Sequence, residues 1–567
     1  MRLLDEFALV NPISSGQASV IRLFIIEFDL ADLSSHFFNQ VLGFKRAAEK
    51  RGWSAQVLLR KDVAAFLADS LGAHRVIELE PMDATKFGYR LDVFTESDMQ
   101  LQSLWTTIES MELSSQDIVL ITSSRPVVIY SLGAWLSRLD PQRCPAVFIR
   151  FFGHEYLDLK TMDYSEQSWM HRFAARDLAL RPGQKRVFFT ANNERLLAPL
   201  GQLCTRRIFQ MPLPKYYGEV GPPRPAGVDF PVIYVHLNVR SGALLNQIES
   251  VIRAVLDECA HAKFLLKYCT NALKPETEAR LSPDLRARGV ELIPSEQSHA
   301  DHIGTIERSD VVFLPYEATE YTALASGLFA EAAALGKVIV YPAGTWMAEE
   351  VARDRAAGVD FSVADLRQTT AAVLRALDSL SELSSAACAR SQKFRALHSC
   401  GQNLDLMLAL AAEEHDMSTG YVPGTPVRFD KPVQARGYMG HGWSSFEAAG
   451  VWTEGPVAEL AFCIEPRPAS PLEARFRLTP FFSKCRPQRI TISVGGVTLG
   501  EWSFPDDGKR TPGWCSVMIP ANIMANEPIR MLFHVKDPHS PNQAGESDDS
   551  RALGFMLHEM CFDPLDS

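Results

Sequence analysis

Through the first two-thirds of the chain, short apolar runs of strand length alternate with stretches of helical period, and beyond His415 that alternation stops. Repeated strand–helix–strand units leave the strands apolar on both faces, and a parallel sheet between two helix layers buries both. Residues 21–28 (IRLFIIEF) form the first such run. A polar loop follows, then SSHFFNQVLGFKRAAEKRG, with Phe38, Val41 and Leu42 to bury, serines to cap a helix and Gly52 to stop it. Residues 56–59 continue at once as a second strand, and the crossover of such a unit is right-handed. Residues 117–122 (DIVLIT), 146–151 (AVFIRF), 186–190 (RVFFT) and 207–211 (RIFQM) extend the series.

A Gly- and Pro-rich segment, 217–230 (YGEVGPPRPAGVDF), then reads as a linker. The alternation restarts behind it with PVIYVHL, a helix from about Ala243, FLLKY, VELIP, DVVFLPY and KVIVYP. Two Rossmann-like units in series leave a cleft to which both present the C-terminal ends of their strands, where open α/β sheets bind ligands. After a turn-rich stretch following His415 the period becomes two: Ala474, Phe476 and Leu478 against Arg475 and Arg477, and Ile490, Ile492 and Val494 against Thr491 and Ser493. Gly495–Gly496 turns that strand into a hairpin, and Ile529, Met531, Phe533 and Val535 form a further face. The predicted fold is therefore α/β with two Rossmann-like domains, 1–217 and 218–417, the second closed by a helix around NLDLMLALAA, and a C-terminal all-β, jelly-roll-like sandwich, 430–567.

Composition narrows the partners. A net charge of −11 lacks the basic face that a nucleic acid requires, although one or two local cations still suit a small anion. The ten cysteines are scattered without Cys-x-x-Cys spacing, as expected of reduced thiols and not of a disulfide framework or zinc site. MRLLDEFALVNPISSGQ has no basic segment leading into an apolar core, and no apolar run nears the ~20 residues of a membrane helix. The expectation is a cytoplasmic chain.

Residues 309–348 carry most of the chemistry. A strand there ends at Pro315, Ser326–Gly327 precede a helix expected from near Leu328 to Gly336, and another strand follows. Free N–H groups at a helix start bind phosphate, glycine lets it approach, and Glu331 one turn on suits ribose hydroxyls. The same residues also admit a plainer account, with Ser326 as a helix cap and Glu331 as a favourable first-turn acid.

The run EAAALGKVIV, from Glu331, is similar to the Glu-Ala-x-x-x-Gly-x-Pro-Val-Val segment of retaining GT-B glycosyltransferases of the family-four type (glycosyl transferases group 1). SDVVFLPYE resembles the strand entering that motif, PVIYVHLNVRSGALLNQI the first strand of their donor domain, VELIPSEQSHADHI the surroundings of the nucleotide base, and DLSSHFFNQVLGFKRAAEKRGWSAQVLL their acceptor-side unit. The resemblance covers roughly residues 20–415 and implies a hexosyltransferase that takes sugar from a nucleoside diphosphate sugar to a glycan or lipid-linked acceptor, in bacterial surface polysaccharide or glycoconjugate synthesis. It implies retention of configuration, no metal and no cofactor beyond the donor, and peripheral association with the inner face of the membrane as an option.

By the same resemblance Glu331 binds the donor ribose, Ser326, Gly327 and Leu328 hold the diphosphate, and Pro294 and Ser295 lie at the base. Arg240 neutralises the diphosphate; Ser241–Gly242 replace the lysine expected next, and Lys267 offers the second charge. His154, after AVFIRFFG, reaches the reacting sugar and joins Glu331 as a catalytic candidate, while His36 and Asn39 face the acceptor. Ala323 stands where the family often carries a first glutamate, with Glu317 and Glu320 out of register. That departure keeps two other readings open: an epimerase or hydrolase of sugar nucleotides, and a catalytically silent glycan-binding protein. His299 and His302 (HADH) lack a third metal ligand and read as an exposed helix face.

In the C-terminal part, GHGWSSFEAAGVWTEG and DPHSPNQAGESDDSRALGF resemble paired signatures of an uncharacterised β-sandwich module attached to bacterial glycosyltransferases. Trp443 and Trp452 either stack on sugars or pin the core, and Arg551 pairs with Asp548 or Asp549.

Overall fold

The structure, a computed structural model, describes residues 21–564 except 33–35, 80–91, 153–155, 159–163, 166–167, 182, 219, 227–228, 238–241, 269–282, 295–296, 363–365, 413–420, 431–434, 436–437, 441, 465–469, 482–486, 506–509 and 525–528. The first sheet consists of β1 (Arg22–Glu27), β2 (Ser54–Arg60), β3 (His74–Ile77), β4 (Ile118–Ile121), β5 (Ala146–Phe151), β6 (Val187–Ala191) and β7 (Ile208–Gln210). Its order is β3-β2-β1-β4-β5-β6-β7, every pair parallel. The central strands are buried along their whole length, so each contributes to two cores. Phe24, Ile26, Val147 and Ile149 pack towards Trp105 and Trp135, which stack at 4.7 Å. Leu23, Ile25, Leu120 and Phe148 pack on the other face against Phe38, Val41 and Phe44 of the helix His36–Glu49. The short β3 was not anticipated: His74 and Arg75 are exposed at the sheet edge, which hides its apolar period.

The second sheet repeats the plan with β8 (Val232–Leu237), β9 (Lys263–Tyr268), β10 (Val290–Ile293), β11 (Val311–Phe313), β12 (Val338–Pro342) and β13 (Gly358–Phe361), ordered β10-β9-β8-β11-β12-β13 and all parallel. β13 also escaped the sequence reading. It needs Gly358, where a Cβ would meet the Ile339 carbonyl oxygen at 1.9 Å, so its run is too short and too glycine-led to stand out. In both sheets the strand order reverses beside the first strand of the unit, between β1 and β4 and between β8 and β11; such switch points open a crevice at the C-terminal strand ends.

The chain then crosses back. The helix Cys400–Ala412, containing NLDLMLALAA, packs on the helix His36–Glu49 and places Leu404 and Met407 in a core of the first unit. Arg51 and Asp405 tie the two helices at 2.8 Å.

Beyond it stand two antiparallel sheets around one core: β15 (Trp443–Glu447), β16 (Gly450–Glu454), β23 (Leu553–Pro564), β18 (Leu472–Pro480) and β21 (Gly513–Ile519) in that order, with β14 (Val427–Arg428) beside β23, face β17 (Val457–Phe462), β22 (Ile529–Val535), β19 (Gln488–Val494) and β20 (Val497–Phe504). From β16 onward the chain passes repeatedly between the sheets, as in a jelly roll. The two-Rossmann-plus-sandwich class expected from the periods is the class observed. Trp443 is half-buried and packs against the sandwich core: its ring lies on Phe429, Phe533 and Phe555, and its Nε1 donates to the Glu459 carbonyl at 2.7 Å. Trp452 packs edge-on against Phe481. Arg551 bonds Asp549, Glu447 at 3.0 Å and the Ser444 hydroxyl at 3.1 Å, so the two signature segments are stitched together structurally. No helix among the described residues is long and apolar enough to cross a membrane.

Candidate functional site

On the rim of the second sheet, the helix Gly327–Ala334 begins as expected: Ser326 is its N-cap and accepts from the Phe329 N–H at 3.1 Å. That much is the plain capping role. Glu331, however, is no first-turn acid. It lies one full turn in, buried, with Oε1 accepting from Lys215 Nζ at 2.7 Å and Oε2 at 2.9 Å from His302 Nε2. Burial alone would raise its carboxyl, but the Lys215 ammonium and the His302 bond outweigh it and hold the group well below the usual carboxylate range.

Lys215 was not anticipated. It follows β7 in the chain passing between the units, where its N–H donates to the His398 carbonyl at 3.2 Å. Its ammonium lies over the start of the 327–334 helix, and a Cβ on Gly327 would come within 2.9 Å of it. Glycine leaves room for the neighbouring cation there, while its backbone is ordinary helix. The result is a cation facing a helix N-terminus, the combination that binds phosphate.

His302 also departs from expectation: the helix His299–Arg308 turns it inward onto Glu331, half-buried, instead of out to solvent. His299 is half-buried as well, and Tyr216 stacks on it at 6.2 Å. Beside them, paired across β8 and β9, stand His236 and Lys267. Lys267 is buried and donates to Gln297 Oε1 at 2.9 Å, and Gln297 in turn donates to Thr305 at 3.0 Å. Burial, reinforced by Lys267 and His302, pushes the His236 imidazole down to about 3, so it is neutral at physiological pH. Leu328 is buried in the core behind the helix start, and Pro294 is exposed just past β10. Of the remaining candidates on this side, Arg240 and Ser295 lie outside the described residues.

The first sheet ends in a polar row. Glu27, Thr122, Arg150 and Thr190 follow the apolar Ile25, Leu120, Phe148 and Phe188 on one face of β1, β4, β5 and β6. Glu27 is fully buried, accepts from Thr122 Oγ1 at 2.5 Å and from the Asp29 N–H, and burial lifts its carboxyl to about 7. Asp29 is held by Ser123 at 2.7 Å and by Arg125. His36 is exposed at the start of its helix and packs on Phe37 and on Phe152, which follows β5. Asn39 is half-buried one turn later, with its Oδ1 shut off from solvent. His154 lies outside the described residues.

The units also meet through the loop carrying Ala323. That residue is buried against the first unit's core, and its carbonyl accepts from Asn193 Nδ2 at 2.8 Å. Glu317 is exposed and Glu320 half-buried on the same loop. Arg195 adds bonds to the Gly344 carbonyl at 3.2 Å and to Glu349 at 2.6 Å.

No protein-family model matches the sequence, and no curated protein matches it. Among solved structures the chain is similar to a glycosyltransferase from Rickettsia africae, at 11% identity, with 69% of this chain and 97% of that one covered and a TM-score of 0.47. It is similar to a mutant of S. aureus TarM in complex with Fondaparinux, alpha-GlcNAc-glycerol and UDP (9% identity, 70% and 100% covered, TM-score 0.49). A third is the catalytic domain of starch synthase IV from Arabidopsis thaliana bound to ADP and acarbose (11%, 70% and 100%, TM-score 0.47). All three scores lie below 0.5; the paired Rossmann architecture is established by the strand orders and cores themselves.

Proposed function

We propose that the chain is a glycosyltransferase that moves a hexose-like sugar from a nucleoside diphosphate sugar to a glycan or lipid-linked acceptor. The observation that carries the reading is the meeting of Lys215, the Gly327 helix start and the buried Glu331 at the rim of the second Rossmann sheet, facing the first. In this reading the diphosphate lies over Gly327. Lys215, Lys267 and the helix N–H groups stabilise the charge that builds on it as the sugar departs. Lys215 takes the place of the lysine missing after Arg240. Glu331, held ionised, orients the ribose, and the row from Glu27 to Arg150 with His36 and Asn39 faces the acceptor. Configuration is retained and no metal takes part, so turnover persists in EDTA. The setting is the cytoplasm, at the inner membrane face when the acceptor is lipid-linked.

The test is product analysis of the full chain with UDP-, GDP-, CMP- and dTDP-sugars, alongside nucleotide titration of Glu331→Gln. Losing a charge-assisted bond of roughly 1.5–3 kcal/mol lowers donor affinity by about ten- to a hundredfold. Unchanged affinity in that variant, or free sugar as the sole product, would overturn the assignment.

A further inference from the structure

Arg150 is a buried cation that the donor site does not use. It is the penultimate residue of β5, 4% exposed, directly above the apolar face made by Ala146 and Phe148. Its Nη1 is closed off from solvent and bonds nothing among the described residues. Burial lowers the guanidinium only to about 10, so it keeps its charge at neutral pH. The acid nearest in the row, Glu27, has its oxygens taken by Thr122 and the Asp29 N–H and is itself half-neutral near pH 7. A buried cation without a counter-ion is unfavourable, and chains retain one where a ligand completes it. The Phe152 ring lies 5.6 Å from the guanidinium carbon, and Glu27 acts on the charge only through space, with no ion pair to Arg150 among the described residues. Phe152 leads outward to Phe37 and the exposed His36, 6.1 and 6.2 Å away. Asn39, whose buried Oδ1 also bonds nothing among the described residues, comes from the same helix as those two.

We propose that Arg150 recognises an oxyanion, a carboxylate or a phosphate, carried by the acceptor, whose sugar ring or carbon chain lies on the His36–Phe37–Phe152 platform. The word acceptor rests on the transferase reading; the anion site does not. The site is built on the first sheet, whereas the donor subsite is built on the helix start of the second. Guanidinium suits the ligand because its planar N–H edge matches carboxylate and phosphate oxygens, whereas an aromatic ring offers neutral sugars only stacking.

The experiment is calorimetric titration of the full chain and of Arg150→Met and Arg150→Lys with glucuronate, glucose, sn-glycerol 3-phosphate, glycerol and UDP, beside their melting curves. The expected result is that the wild type binds one of the two anions at least about tenfold tighter than its uncharged counterpart, glucuronate marking a carboxylate site and glycerol phosphate a phosphate site. Arg150→Met loses that preference, keeps its UDP affinity, and melts no lower than the wild type without ligand, because an uncompensated charge has been removed. Arg150→Lys retains part of the preference and guards against a Met variant that fails to fold. No preference in the wild type, or an undiminished one in Arg150→Met, overturns the proposal. A fall in UDP affinity instead would assign Arg150 to the donor diphosphate and overturn it as well. Anion binding without sugar transfer would break the enzyme reading and leave this site standing.

Discussion

On the rim of the second sheet, the Glu331 carboxylate has a lysine on one oxygen and a histidine on the other; on the rim of the first, the Arg150 guanidinium has an aromatic ring and, among the described residues, no ion pair. Both groups are buried, so exposure does not explain the contrast. Lys215 arrives from the chain joining the units, so the Glu331 cluster fixes where that chain lies relative to the second sheet before any ligand comes. The Arg150 corner of the first rim has no such ion pair among the described residues and holds its charge in reserve. One rim is finished by folding, and the other by a ligand.

The sharpest way to break that contrast is Lys215→Met. It leaves Glu331 buried with only His302 as partner, and removing one partner of a buried pair costs about 3–5 kcal/mol. Urea unfolding should show this loss, and the double variant Lys215→Met/Glu331→Met should lose less than the two single changes added together, because no orphan charge remains. Additive losses would mean that the two groups are not coupled and that the second rim is no more finished than the first.

The sheets around these rims were legible in the sequence because parallel strands read as apolar runs and their helices as stretches between Gly and Pro punctuation. Ser326 and Glu331 were legible as a helix start and an acid one turn in. Lys215 was not: its partner is 116 positions away, and the linker between the units gives no period by which to place it. Arg150 was hidden differently, inside AVFIRF, where strand alternation shows which face it shares but not that the face turns polar at its last row. His302 was misjudged because two histidines on a polar helix look solvated until the neighbouring carboxylate is in place.

Glu27 sharpens the comparison from the acid side of the first rim. Its carboxyl moves from its ordinary 4.5 to about 7 on folding, because burial disfavours the ion. Between those values the unfolded chain has released a proton that the native chain still holds, so stability falls as pH rises through this window and stays lower above it. At 1.36 kcal/mol per decade the loss is about 3 kcal/mol by pH 8. Glu27→Gln keeps the neutral shape, so it should remove most of this decline and be more stable than the wild type at pH 8 and little changed at pH 4.5. Melting curves at the two pH values check it. A decline as steep in the variant would place the neutral acid elsewhere, and Glu27 would then serve Arg150 as its missing counter-ion.

The smallest effect concerns the neutral contact that joins the units at Ala323. Asn193 is fully buried and uses both ends of its amide: Oδ1 accepts from the Arg195 N–H at 3.0 Å as the cap of the helix Glu194–Cys204, and Nδ2 donates across the units to the Ala323 carbonyl. Asn193→Ala removes both, about 1 kcal/mol for the cap and about 1 kcal/mol for the buried carbonyl left without a donor. Asn193→Ser keeps an oxygen for the cap but cannot reach Ala323, so it should lose only the second half. Chemical denaturation of the two variants therefore measures the neutral joint separately from the helix it caps. If Asn193→Ser proves as stable as the wild type, the Ala323 contact contributes nothing net. The joining of the two Rossmann units would then rest on charged contacts, the cluster around Lys215 and the pairs Arg195–Glu349 and Arg353–Glu194, together with the returning helix Cys400–Ala412.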